Sequence, residues 1–183
     1  MATPALEDPN FHHTVLVMLA FSATDGALAV VLNRPNEVPV DAILPGWGDL
    51  ASAPSSLFVG GPVGRDSLIG LAERRDGVAQ FDGYLAHDGF AGVADGRLGT
   101  LDLHRQPYEM APGVARLRIF TGHSGWGPGQ LEGELAAGGW LVLPGTDDDV
   151  FTSEPEDLWK RVLRRQGGRI AMYANAPPNL SMN

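Results

Sequence analysis

Residues 15–32 read VLVMLAFSATDGALAVVL, and this stretch decides the fold. Two apolar runs, at residues 15–21 and 27–32, flank Asp25-Gly26, a pair that supplies the positive φ of a tight hairpin turn. We therefore predict two adjacent antiparallel strands. Because neither run alternates cleanly between apolar and polar residues, both faces are expected to be covered, which predicts a hairpin at the centre of the sheet.

Further strands are predicted on either side of this hairpin. Residues 114–121 alternate, with Leu117 and Ile119 on one face and Arg116 and Arg118 on the other, which predicts a half-exposed strand. The glycine-rich residues 122–129 that follow are expected to form an irregular loop. Other strand signals lie at residues 57–59, 68–72 and 140–143, with a hairpin around Asp95-Gly96.

Helices are predicted mainly in the last third of the chain. A helical turn at 41–44 and a helix at 130–137 precede the best-signalled helix, in which Ser153 is the expected N-cap and Glu156 completes a capping box. Gly167-Gly168 ends that helix. An edge strand at 170–173 and a loose tail at 176–183 complete one domain that spans residues 1–183.

The composition is that of a globular protein without disulfides. Hydrophobic residues make up 44% and charged residues 19% of the chain, and there is no cysteine. A net charge of −9 disfavours binding to nucleic acid and to anionic membranes. With neither a signal peptide nor a long apolar run, the expected location is the cytoplasm.

Few residues are arranged for known chemistry. Gly122-His123-Ser124-Gly125-Trp126 has the order of a nucleophile elbow, but Trp126 stands where a small residue is required and no histidine follows Ser124. The run at 147–149 is predicted to be a solvated acidic turn, and the adjacent His12 and His13 cannot easily share a metal. We expect no catalytic residue, metal or cofactor: the only lysine, Lys160, is not in a phosphate loop, and no dinucleotide motif is found.

Three motifs that end strands are unusual for simple turns. They offer polar side chains, glycines that allow the backbone to approach a ligand closely, and the first amide groups of a helix. If the three motifs meet, they would line one small cleft with Trp126 as its apolar wall. The candidate ligand-binding residues are Asn33, Arg34, Gly60, Gly61, Trp126, Gln130 and Glu132. In the alternative interpretation, Arg34 forms an ion pair with Glu132, Trp126 fills the core, and the glycines serve the turns.

The same motifs, taken in order, resemble the AlgH/YqgE family. The resemblance covers nearly the whole chain and rests on four ordered segments. They are Thr3-Pro4-Ala5-Leu6-Glu7-Asp8-Pro9-Asn10-Phe11; Gly26-Ala27-Leu28 leading to Val31-Leu32-Asn33-Arg34-Pro35; Gly60-Gly61-Pro62-Val63; and Gly125-Trp126-Gly127-Pro128-Gly129-Gln130-Leu131-Glu132 with Trp140-Leu141-Val142.

The resemblance implies an α+β fold, in which a mostly antiparallel, bifurcated sheet forms a pseudo-barrel with a few peripheral helices. It implies no established reaction, although some members are labelled transcriptional regulators. The chain departs from many members at His123 and Ser124, which stand before Gly125-Trp126. That departure counts against a catalytic role for Ser124.

Two functions remain open at this stage. The first is a non-catalytic regulatory or interaction protein with a protein partner, and a homodimer is left open. The second is a small-molecule binder or enzyme that uses the cleft between the three loops. Direct DNA binding finds no support, because no basic recognition helix is visible.

Overall fold

The computed structural model describes residues 1–87 and 97–176. The hairpin predicted around Asp95-Gly96 and the tail beyond residue 176 lie outside the described residues. Eight strands are described: β1 (Leu16–Ser22), β2 (Gly26–Val31), β3 (Pro35–Pro39), β4 (Ser56–Val59), β5 (Val63–Arg74), β6 (Tyr84–Ala86), β7 (Leu98–Leu101) and β8 (Val114–Trp126). The α-helices of the same residues are α1 (Val40–Ile43), α2 (Pro107–Met110), α3 (Gln130–Ala136), α4 (Asp147–Val150), α5 (Leu158–Gln166) and α6 (Gly168–Met172).

The predicted hairpin is confirmed, but its place in the sheet is not the expected one. β1 and β2 pair antiparallel around Asp25-Gly26, with Ser22 opposite Gly26. The main path of the sheet runs β1-β2-β8-β5-β7-β6, so β1 is an outer strand. The prediction of a central hairpin is wrong for β1, because its apolar faces are covered from above and below the sheet and not by a strand on each side.

β8 is the strand at which the sheet divides. One edge of β8 pairs with two strands. Near the carboxyl end of β8 the partner is β2, with Ala27 opposite Trp126, and nearer the middle of β8 the partner is β4, in parallel, with Phe58 opposite Phe120. The other edge pairs antiparallel with β5. Two branches that share one strand curl the sheet into a half-barrel, which confirms the predicted α+β fold with a bifurcated, mostly antiparallel sheet.

β8 also differs from its prediction. It continues through Gly122 to Trp126, where an irregular loop was expected. Arg118, expected on an exposed face, is 1% exposed and lies over the Phe58 ring at 4.2 Å. Its guanidinium donates to the carbonyl oxygens of Ala53 and Thr152 at 2.9 Å each, and burial lowers the pKa of Arg118 to about 10. The alternation of residues 114–121 cannot reveal that both faces of the strand are covered.

The carboxyl-terminal region corrects three predictions. The capping box is formed by Thr146 and Asp149 at α4, whereas α5 has no side-chain cap and follows a 3-10 turn at Pro155–Asp157. Residues 170–173, expected as an edge strand, belong to α6 and the turn after it. The strand expected at 140–143 is reduced to a single bridge between Trp140 and Ala2. Local β-formers do not make a strand where no sheet edge lies within hydrogen-bonding distance.

The main apolar core lies between the sheet and α5. Trp159 of α5 is 2% exposed, and its indole N–H donates to the carbonyl oxygen of Ala2 at 2.9 Å. A second apolar cluster packs on the other side of β5 and β8 around Leu117 and Ile119. In the two described stretches, 1–87 and 97–176, no helix has the length and hydrophobicity that a membrane span requires.

Candidate functional site

The first predicted motif, Asn33-Arg34, is held against the amino-terminal segment. The Asn33 side chain accepts from the backbone N–H of Val15 at 2.8 Å and donates to the carbonyl oxygen of His13 at 2.9 Å. The Arg34 guanidinium donates to the carbonyl oxygen of His12 at 3.2 Å. Burial lowers the pKa of Arg34, and Asp8 opposes that shift. These side chains therefore fix the segment that leads into β1.

The second motif, Gly60-Gly61, packs directly on β8. A Cβ on Gly60 would collide with the carbonyl oxygen of Gly122, and a Cβ on Gly61 would collide with the backbone of His123. The buried Ser124 hydroxyl donates to the carbonyl oxygen of Gly60 at 3.1 Å. The two glycines therefore allow a close approach of two backbones, and the Ser124 hydroxyl takes part in that contact.

The third motif surrounds Glu134, a residue that sequence reasoning missed. The indole N–H groups of Trp126 and Trp140 both donate to one carboxylate oxygen of Glu134, at 3.0 and 2.7 Å. The Gln130 amide donates to the other oxygen at 3.0 Å. Burial by itself would raise the pKa of Glu134, but these three hydrogen bonds outweigh it and lower the pKa. The spacing of Gln130 and Glu134, four residues apart on α3, is the only local signal for this cluster.

The alternative ion pair between Arg34 and Glu132 is not formed. Glu132 is exposed, and in the described part of the chain its side chain makes no hydrogen bond or ion pair. Trp126 is 6% exposed and stacks on Phe11 with ring centroids 5.9 Å apart. The part of that interpretation in which Trp126 fills a core is confirmed.

The seven predicted residues fall into two groups. Asn33 and Arg34 lie beyond the carboxyl end of β2, where Val59 donates to the carbonyl oxygen of Arg34, and Gly60 and Gly61 lie beside that end, where Gly60 accepts from Val31. The second group, Trp126, Gln130 and Glu132, starts opposite Ala27. The six steps from Ala27 to Asn33 place the backbone of Asn33 ~20 Å from that of Trp126 along β2. Gly61 lies nearer to the second group, because it packs on His123, three residues before Trp126 on β8. Ligand binding by either group stays a prediction.

A different feature of the described residues forms an apolar concavity, and we call it the β1 cleft. It has a volume of about 370 Å³ and lies between β1, α3 and the segment 140–146. Of the predicted residues, only Trp126 lines it. The β1 cleft is lined by Met1, Val15, Leu16, Val17, Met18, Phe21, Leu32, Trp126, Leu131, Leu135, Trp140, Leu141, Val142, Leu143, Pro144, Gly145, Thr146, Asp149, Val150 and Val162.

The charged groups at the β1 cleft are neutralised. Burial lowers the pKa of the Met1 amino group to about 5. Asp149, the carboxylate of the lining, accepts two hydrogen bonds from Arg165, at 2.9 and 2.6 Å. Burial would raise the pKa of Asp149, but the hydrogen bonds from Arg165 and Thr146 outweigh it and lower the pKa. The cleft therefore favours uncharged, apolar groups.

Two sequence signals could have indicated the β1 cleft. β1 is apolar on both faces, and Leu131 and Leu135 form an i, i+4 pair on α3. Neither signal tells how the segment 140–146 approaches β1, since that approach depends on contacts between residues more than a hundred positions apart.

The acidic run at 147–149 does not form the solvated turn that was expected. It forms α4, in which Asp149 is buried and completes the capping box, while Asp148 is exposed and binds Arg116 at 2.7 Å. In residues 1–87 and 97–176, no group of three or more histidine and acidic side chains could hold a metal ion.

Comparison with known proteins assigns the family. The profile of the AlgH-like family matches residues 1–171. A protein named "UPF0301 protein" from Thermobifida fusca is 43% identical over 184 residues, which cover all of this chain and 92% of the relative. A protein of the same name from Streptomyces avermitilis is 47% identical over 183 residues, again with 92% of the relative covered.

Solved structures agree with this assignment. The crystal structure of a Corynebacterium diphtheriae protein matches 96% of this chain and 89% of its own, with 29% identity and a TM-score of 0.86. The solution structure of the AlgH protein from Pseudomonas aeruginosa matches 97% of this chain and 91% of its own, with 25% identity and a TM-score of 0.66. From its matched sequence profile and from these relatives, the chain belongs to the AlgH-like family.

Proposed function

We propose that this AlgH-like protein is a non-catalytic regulatory or interaction protein of the bacterial cytosol, and that it holds a protein partner against the β1 cleft. The observation that carries the proposal is the apolar character of the cleft and its rim. Phe21 is 57% exposed and Val142 is 75% exposed at that rim. A contiguous apolar surface of this kind is typical of an interaction site, because leaving it in water is costly.

The chemistry of the polar side chains supports a non-catalytic role. The Ser124 hydroxyl is buried and donates to a backbone carbonyl, so it is not presented to a substrate. Glu134 accepts three hydrogen bonds and has a lowered pKa, which keeps it ionised near neutral pH and unsuited to proton transfer.

Charge distribution supports a protein partner over DNA. Two of the cations of α5, Arg161 and Arg165, are held by Thr152 and Asp149 at 2.7 and 2.6 Å. With a net charge of −9, the molecule as a whole repels a phosphate backbone. In this proposal the protein acts through contacts with other proteins and not through DNA.

The second candidate function is binding of a small apolar molecule. It is favoured by the volume of the β1 cleft, about 370 Å³, which lies in the range of ligand pockets. The sequence predicted such a ligand between the three strand-end loops, whereas this proposal assigns it to the β1 cleft.

Capture with a matched pair of variants tests the proposal. The double variant Phe21→Asp with Val142→Asp places two charges at the rim, on side chains too exposed to endanger folding. Tyr108→Asp is the control, because Tyr108 is 71% exposed on α2 and does not line the β1 cleft. Circular dichroism confirms that all three proteins are folded.

The expected result is a stoichiometric partner that the wild type and Tyr108→Asp retain from a bacterial lysate, while the double variant retains roughly tenfold less, as for loss of an interface anchor. Capture that is equal for all three proteins contradicts the proposal. A stoichiometric partner for none of them contradicts it as well.

A further inference from the structure

The first step of this inference is the nature of β1 as an outer strand. Within the described residues β1 pairs with β2 alone. Outer strands are usually protected from further pairing by charged residues or proline, and β1 has neither; its one irregularity lies between Met18 and Ala20. Val17 packs into the main core, whereas Leu16 packs beside Trp126 on the other face. An outer strand that is apolar on both faces has the composition of an inner strand.

The second step is the direction of the β1 backbone groups. Leu32 donates to the carbonyl oxygen of Val15, whereas Val31 donates away from β1, to Gly60. Because hydrogen bonding alternates along an antiparallel pair, the N–H and C=O groups of Leu16 and Met18 are directed to the outer side, into the β1 cleft. β1 therefore offers a row of backbone donors and acceptors.

The third step is the opposite wall. Along residues 141–143 exposure alternates: Leu141 and Leu143 are half-buried, and Val142 between them is exposed. This is the pattern of an extended chain. In the described part of the chain, no backbone hydrogen bond joins β1 to this segment. Two extended segments thus face each other across the cleft.

The fourth step is the spacing between these two walls. Met1 exchanges two backbone hydrogen bonds with Leu141, at 2.7 and 2.8 Å, and on the other side Ala2 donates to the carbonyl oxygen of Thr14 at 2.9 Å. Ala2 and Trp140 form an antiparallel bridge. The space between the walls is therefore one strand wide at this end, and the β1 cleft continues it.

We propose that the β1 cleft binds an extended, uncharged, apolar segment of a partner polypeptide, which joins the sheet as a strand antiparallel to β1 and hydrogen bonds to both β1 and residues 141–143. This inference rests on the proposed function and specifies its partner. The lining residues Leu16, Val17, Met18 and Phe21 of β1 span six positions, so the segment is about six residues long. Apolar side chains on both faces of that segment would meet apolar walls, with Val17, Val150 and Val162 on one side and Trp126, Leu131 and Leu135 on the other.

Hydrogen exchange with a synthetic peptide tests the inference. The probe carries the sequence of residues 27–32, ALAVVL, flanked by lysines for solubility. The control peptide has the same lysines but prolines at alternate positions, so it keeps the charge and loses the backbone donors. The expected result is amide exchange at Leu16, Met18 and Leu143 that is at least roughly tenfold slower with the probe, and unchanged at Val142 and with the control.

A fusion of the probe sequence to the protein keeps the test informative even if the free peptide binds weakly. The same sequence placed directly before Met1 continues the path of Met1 and Ala2, and the covalent link raises its effective concentration into the millimolar range. The fused strand is expected to slow exchange at the same three amides and to raise the midpoint of thermal unfolding, while the proline version does neither.

Three results would overturn the inference. One is binding of the probe without slower exchange at Leu16 and Met18, which indicates a general apolar pocket. Another is the absence of any effect from both probe and fusion. The third is a stable dimer in light scattering that already protects these amides without peptide. The lysate capture is independent of all three: capture that depends on the cleft, without peptide protection, removes this inference and leaves the proposed function.

Discussion

Glu134 shows at the scale of one residue how the candidate site is held together. Its carboxylate joins Trp126, which ends β8, to Trp140, which begins the wall of the β1 cleft. Hydrogen bonds to a charged acceptor are stronger than those between neutral groups, and two indole donors on one oxygen fix both rings. The position of segment 140–146 therefore depends on a side chain that does not itself line the cleft.

Replacement of Glu134 by glutamine is expected to lower the free energy of unfolding by about 1–2 kcal/mol, because an amide has one acceptor oxygen for three donors. Urea unfolding of wild type and variant measures the change. Glu132→Gln is the control, since Glu132 lies on the same helix, is exposed and has no partner in the described residues. Its effect is expected to stay within about 0.5 kcal/mol. Equal losses for both variants would show that the cluster contributes nothing.

The turn between β1 and β2 shows how one element depends on a second. Gly26 has φ +93°, and a Cβ there would overlap the carbonyl oxygen of Trp126 on β8. The Asp25-Gly26 pair thus does more than close the hairpin: it lets β8 approach the start of β2. Gly77 has a similar φ, +74°, but a Cβ there would have no neighbour within 4 Å.

Alanine substitutions at Gly26 and Gly77 separate the cost of backbone strain from the cost of a steric collision. Gly77→Ala is expected to cost about 1–2 kcal/mol through the left-handed backbone alone. Gly26→Ala has the same strain and also the collision with β8, so its loss is expected to be larger by about 1–3 kcal/mol. Chemical denaturation followed by circular dichroism measures both. Losses that agree within error would mean that β8 moves aside freely and that the close approach has no energetic role.

Elements with local signals could be predicted from the sequence, and elements defined by distant partners could not. The hairpin follows from Asp25-Gly26, and α3 follows from Gly138-Gly139, which closes the predicted helix at 130–137. Residues 170–173 have strand-forming composition but form part of a helix, and residues 122–126 have loop composition but continue β8. In both cases tertiary packing outweighs local propensity.

The candidate site shows the same limit. Trp126 was identified, because a tryptophan among glycines is conspicuous. The β1 cleft was not, because its walls come from β1, α3 and residues 140–146, and their meeting depends on Glu134 and on backbone contacts of Met1. A sequence shows which segments are apolar; it does not show which apolar faces remain open after folding.

At the scale of the whole molecule, four groups whose folded pKa lies in the acid range link stability to pH. The first is the Met1 amino group, whose pKa burial lowers from 8.0 to about 5. The pKa values of Glu134 and Asp149 are lowered by hydrogen bonds that outweigh burial, and the pKa of His13 is lowered by burial and by the neighbouring charges of His12 and Lys160. In each case the folded state binds its proton less readily than the unfolded state. Stability is therefore full above the ordinary pKa of each group and is lost as the pH falls through the folded value.

The free energy of unfolding is accordingly expected to decline below pH 8.0, the ordinary value of the amino group, and through about pH 5, its folded value. Further losses are expected below pH 6.5, the ordinary value of histidine, and below pH 4.5 and 3.8, the ordinary values of the two carboxyl groups. Asp149→Asn isolates one contribution, because Asp149 binds Arg165 and connects α4 to α5 at the end of the β1 cleft. At pH 7 the variant is expected to be less stable by about 1–3 kcal/mol, since asparagine lacks the charge that Arg165 requires. The two stability curves should converge as the pH falls below the folded pKa of Asp149, where the wild-type side chain is itself uncharged.

Asp148→Asn, at a side chain that is 89% exposed, is the control and should follow the wild type closely. A difference between wild type and Asp149→Asn that stays constant from pH 7 to acid would show that packing, and not the buried carboxylate, holds α4 against α5.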